Sequence, residues 1–100
     1  MNDKFILEGH KVVPCDDLLT WGEWLGTADR RVARTEISAS LFVSTVFIGL
    51  DHSFGNGPPL LFETMVFRNG SGGEEDRCST WEQAEQQHAK MVEQVTKEIK

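Results

Sequence analysis

Two long apolar runs dominate the chain: LFVSTVFIGL at 41–50 and LLFETMVF at 60–67. Val, Ile and Phe enrichment predicts strands in both. Leu41, Val43, Thr45 and Phe47 fall on one face of the first run, and Phe42, Val46, Ile48 and Leu50 on the other. In the second, Leu60, Phe62 and Val66 oppose Leu61, Met65 and Phe67, with Glu63 the one charge. Both faces are apolar, which predicts central strands with matter on each side. Between them DHSFGNGPP makes a loop.

The flanking pattern is weaker but readable. Phe5-Ile6-Leu7 and Val12-Val13 bracket Gly9 and stop at Pro14, as a hairpin does. Asp16 and Asp17 can cap a helix that places Leu18, Trp21, Leu25 and Ala28 on one face. That helix is expected from about Asp17 to Leu25, with Gly26 as C-cap, or onward to Ala28. Gly22 would then permit close packing against a sheet. Val32 to Ile37 alternates as a half-exposed strand. Residues 68–77, RNGSGGEEDR, are expected to be a mobile loop, with Arg77-Cys78 adding a short edge strand. Ser79 with Glu82, or Thr80 with Gln83, forms a capping box for a last helix whose inner face is Trp81, Ala84, His88, Met91, Val95 and Ile99. The expected fold is a single α+β domain over residues 1–100. It has an antiparallel sheet of about four or five strands, in the order ββαβββα, and both helices on one face.

Composition changes little in this picture. The net charge is −6, and both halves of the chain are mildly acidic. No basic patch provides the footprint of nucleic-acid binding, which is not expected. No run is long enough to span a membrane and no signal peptide is apparent, so a cytoplasmic location is expected. Cys15 and Cys78 lack CxxC spacing and are expected as free thiols.

Chemistry is concentrated in the 51–59 loop, which sets an acid, an imidazole and a hydroxyl in series. Asp51, His52, Ser53, Phe54 and Asn56 are the binding candidates, with Trp24 at a helix margin as a stacking surface. The competing reading is that this connection needs Gly, Asn and Pro simply to turn, that Phe54 plugs the core and that Trp24 lies at the core edge. His10, at a turn tip, is expected in solvent. A metal site would need His52 to meet His88, with Asp51 or Glu63 orienting it. On its apolar helix face, His88 is otherwise a hydrogen-bonded core residue. Ser53 beside His52 is not a nucleophile motif, and Walker, dinucleotide and EF-hand patterns are absent. No catalytic residue is assigned and no cofactor is expected.

The segments TWGEW, VSTVFIGLDHSFGNGPPLLFETMVF and STWEQAEQQHAKMV, in this order and spacing, resemble a family of small uncharacterised (hypothetical) phage and prophage proteins. The resemblance covers most of the chain from Leu18 to Val95. It implies a phage or prophage source and a role inside the host cell, and it carries no site residue. Three functions follow in order. The first is a non-enzymatic accessory protein binding a host or phage macromolecule, with a protein partner or homodimer covering the surplus apolar face. The second is an anti-defence nucleotide binder using the 51–59 loop. The third is a small metal-dependent hydrolase.

Overall fold

Alternation with a period of two turns residues 41–47 into a strand that is buried at Leu41, Val43, Thr45 and Phe47 and half-buried between them. The computed structural model describes residues 2–53 and 57–99. In chain order the elements are β1 (Phe5–Glu8), β2 (Lys11–Pro14), α1 (Leu18–Thr27), β3 (Arg31–Ser38), β4 (Leu41–Phe47), β5 (Phe62–Arg68), β6 (Ser71–Cys78) and α2 (Trp81–Thr96), followed by a 3-10 turn at Lys97–Ile99. β1 and β2 form a two-stranded hairpin, and β3-β4-β5-β6 an antiparallel four-stranded sheet. The α+β class, the antiparallel pairing and the two helices are as expected, and the edge strand expected at Arg77-Cys78 reaches back to Ser71.

That last difference corrects the reading of 68–77 as a loop. Asn69 and Gly70 both adopt positive φ, 52° and 81°. Two such residues in succession make the type I′ turn whose twist matches a hairpin. The turn delivers Ser71 opposite Arg68, and β6 then pairs along β5 to Cys78. Backbone bonding builds this strand, for Ser71 to Asp76 are all exposed.

α1 takes the longer of its two expected extents but packs differently from expectation. Asp17 caps it through the Leu19 N–H at 3.1 Å and the Thr20 hydroxyl at 2.7 Å. The helix runs through Gly26 and closes at Ala28, whose N–H donates to the Trp24 carbonyl. A Cβ at Gly22 would meet nothing within 4 Å, so close packing does not explain that glycine. Leu18, expected inside, is 62% exposed. The helix holds to the body through its later residues. Trp24 meets Phe47 edge-on at 5.7 Å, and the Trp21 indole donates to the Gly49 carbonyl at 3.0 Å. The same carbonyl accepts from Phe5 N–H at 2.8 Å, joining hairpin, helix and sheet at one atom. Gly49 has φ +73°, and a Cβ there would lie 3.1 Å from both the Phe5 carbonyl oxygen and Leu25. Both reasons require glycine.

α2 starts at a capping box of Thr80 and Gln83 and lays Ala84, His88, Met91 and Val95 on the sheet. The expected face ends there, since Ile99 is 55% exposed. The core lies between this helix and one face of the sheet, in two clusters. Leu41, Val43, Val66, Met91 and Val95 make one. Phe47, Leu61, Phe62 and Ala84 make the other, with the N-terminal hairpin, Trp24 and Trp81 packed around it. Trp81 also carries His10 stacked on it at 3.8 Å, so the turn-tip histidine, though exposed, is docked. Among the described residues the buried Trp81 indole N–H has no acceptor.

Candidate functional site

The 51–59 loop is held by its own first residue. One Asp51 carboxylate oxygen accepts from the Ser53 N–H at 2.8 Å and from the Leu60 N–H at 3.0 Å. The hydroxyl of Ser53 and these amides hold the Asp51 carboxyl below the ordinary carboxylate range. The carboxylate therefore ties the two ends of the loop together, with both acceptances directed inward. His52 is exposed and Ser53 half-buried. Phe54 and Asn56 lie outside the described residues. Trp24, half-buried against Phe47, sits in the core edge.

His88 is placed differently. Its Nδ1 lies 2.8 Å from the Thr45 hydroxyl and its Nε2 2.8 Å from that of Thr35. Thr45 continues to Thr64 at 2.7 Å, and Thr64 donates to Gln87 Oε1 at 3.1 Å. The chain has a direction. Gln87 Oε1 only accepts, so Thr64 donates to it and must accept from Thr45. Thr45 then accepts from His88, which places the imidazole proton on Nδ1 and leaves Nε2 to accept from Thr35. Burial lowers the His88 pKa and keeps the ring neutral. This polar seam, Thr45, Thr64 and His88, separates the two apolar clusters. Both ring nitrogens are committed to it. Among the described residues no group of three or more His, Cys, Asp and Glu is arranged to hold a metal. His52 and His88 thus serve separate places, one in an exposed loop and one in the core.

Two surfaces remain. One is a groove of about 530 Å³ beside α2, lined by Leu60, the end of β6 from Asp76 to Cys78, Ser79 after it, and Gln83, Gln86, Gln87 and Lys90. The Cys78 thiol in its wall is pushed up to about 11, mainly by burial, so it is a thiol and not a thiolate at neutral pH. Both cysteines are free, as expected.

The other surface is the face of the four-stranded sheet opposite α2, which no described element packs against. Phe42 and Phe67 stack across β4 and β5 at 4.8 Å, and the Arg34 guanidinium lies 3.9 Å above the Phe42 ring. Val46 and Met65 continue the apolar strip. At the β6 side Arg77 binds Glu63 at 3.0 Å and approaches Glu75 at 3.9 Å. At the β3 side Arg34 reaches Glu36 at 3.4 Å. Each apolar residue here is half-buried by its neighbours. The surplus apolar surface expected from the sequence is real but smaller, because aromatic stacking and an arginine cover part of it. The aromatic pair lies at the end of the face nearest the Asn69–Gly70 turn, and the charges stand along its β3 and β6 sides. The sequence pattern found this face; it did not reveal Arg34 as its partial cover.

No family model matches the chain, and neither a curated protein nor a solved structure matches it.

Proposed function

We propose that the protein is a non-enzymatic phage or prophage accessory protein that acts in the host cytoplasm by binding a macromolecule through the free face of its sheet. The supporting observation is the apolar strip along β4 and β5 on that face, from the Phe42–Phe67 stack at one end through Met65 to Val46, with Arg34, Glu36, Glu63, Glu75 and Arg77 beside it. The chemistry-bearing groups point the same way. Asp51 is spent on closing a loop and His88 on a core seam, whereas the free-face side chains are presented outward. The phage setting rests on the resemblance of the TWGEW, VSTVFIGL and STWEQAEQQ segments. No described helix is long and apolar enough to cross a membrane.

Affinity capture from the expressing cell tests this reading, with wild type compared against Met65→Glu. A partner held by wild type and released by the variant supports it; identical capture by the two removes the face from the function.

A second reading has its own observation, the groove beside α2. The Lys90 ammonium and the amides of Gln86 and Gln87 line it, with Leu60, which follows the 51–59 loop. These groups suit a nucleotide. A rise in Tm with added nucleotide that disappears in Lys90→Ala supports it; no rise at millimolar nucleotide excludes it.

A further inference from the structure

We infer that the free face is closed by a second copy of this chain, packed face to face about a two-fold axis that lies between β4 and β5 and runs parallel to them. The inference rests on reading that face as a binding surface, and it names the occupant. One row of residues carries it. Arg34 on β3 pairs with Ser44 on β4, Ser44 with Met65 on β5, and Met65 with Glu75 on β6. Across the sheet the row reads cation, small, large apolar, anion.

Half a turn about the stated axis exchanges β3 with β6 and β4 with β5. The row is then laid on its own reverse. Arg34 of each copy meets Glu75 of the other, and Met65 of each enters the dip over Ser44. The neighbouring row, Glu36, Phe42, Phe67 and Gly72, behaves the same way. Each Phe42 falls on the other copy's Phe67, and Glu36 falls over a glycine. The third row, Arg31, Val46, Glu63 and Arg77, matches less well: Glu63 falls on the other copy's Val46, and Arg31 approaches the other copy's Arg77. That approach lies at the rim, where Glu63 and Glu75 already hold Arg77.

Other self-pairings lack this match. An axis along the row would set Arg34 on Arg34 and Glu75 on Glu75. Edge-to-edge pairing through β6 would oppose Glu74, Glu75 and Asp76 of two copies. The whole chain carries −6, but the free face holds three arginines, Arg31, Arg34 and Arg77, against three glutamates, Glu36, Glu63 and Glu75. Two copies repel least when they meet there. A two-fold contact is also closed, so it ends at a dimer.

The test is sedimentation velocity or light scattering over a concentration series at low salt, with each fold checked by circular dichroism. Wild type is expected to dimerise and to dissociate on dilution. Arg34→Glu and Glu75→Arg should each weaken the dimer, on the order of tenfold or more. The combined charge swap should restore it to near wild type, because the two-fold opposes these residues directly. Met65→Glu should abolish it. A wild-type chain that stays monomeric throughout overturns the inference. So does a swap that fails to recover what the single changes lose. The underlying reading of the face falls by a different result, identical capture by wild type and Met65→Glu, so the two failures are distinguishable.

Discussion

The two faces of the four-stranded sheet are built from alternate residues of the same strands, yet they solve different problems. On the helix side Phe47, Phe62, Val43 and Val66 are fully buried, and the polar groups among them are joined into one hydrogen-bonded chain. On the free side Phe42, Val46, Met65 and Phe67 are half-buried, and charge stands around them. Adjacent positions therefore differ sharply in what they do for stability. The lesson is that apolar character alone does not mark the core. A run such as Leu41 to Phe47 contributes one set of side chains to holding the fold and the other to being met.

Paired substitutions break or sharpen this contrast. The largest effect is expected at Phe47, where Phe47→Ala should cost about 3–5 kcal/mol by leaving a cavity between β4, α1 and the N-terminal hairpin. Phe67→Ala, on the free face, should cost about 1 kcal/mol, chiefly the stack with Phe42. Urea denaturation of both variants checks the difference; equal losses would mean that the two faces are equally structural. Neighbouring residues give the next comparison. Thr45→Val should cost about 1–3 kcal/mol, because it strands the His88 Nδ1–H and interrupts the seam. Ser44→Val, one residue away and facing out, should stay within about 0.5 kcal/mol.

Acid supplies a further and gentler probe of the covered face. Burial lowers the folded-state pKa of His88 below its ordinary 6.5, so the unfolded chain takes up the proton first. The stability this histidine contributes is complete above pH 6.5 and is lost as pH falls through the lowered value. The urea midpoint of wild type should drop between pH 7 and pH 5 by more than that of His88→Gln. Equal slopes would show that the seam does not sense the proton.

Much of this contrast was legible in the sequence, and the gaps have physical reasons. The two apolar runs, the α2 face from Trp81 to Val95 and the Thr80–Gln83 capping box follow from spacing alone. The edge strand expected at Arg77-Cys78 is only the end of β6, because Ser71 to Asp76 has no apolar residue to alternate, although Asn69-Gly70 is a strong hairpin signal. Leu18 was placed inside because helical spacing says which residues share a face, not how far along the helix the contact extends. The seam was invisible for another reason. Thr45 and Thr64 each read as one polar residue in an apolar run, Thr35 and His88 as polar residues among polar neighbours, and only strand register brings them into line. The 51–59 loop attracted attention through its residue types. Asp51 shows how such a series can serve the backbone, by accepting from both ends of the loop.

The seam also settles where α2 can lie. Ala84, His88, Met91 and Val95 recur at spacings of four, three and four, so a helix slid by one turn would still offer the sheet small and aliphatic side chains. The slid helix would bring His88 against Val43 and Val66 or against Phe62, with an N–H and a lone pair unanswered, and would leave Thr45 and Thr64 facing hydrocarbon. Each orphaned group would cost about 1–3 kcal/mol. The histidine thus acts as an index mark, much as a single buried asparagine fixes the register of a coiled coil. A protein with so small a core cannot rely on bulk packing to reject near-misses, and five hydroxyl, imidazole and amide groups in file let it recognise one alignment of its own helix.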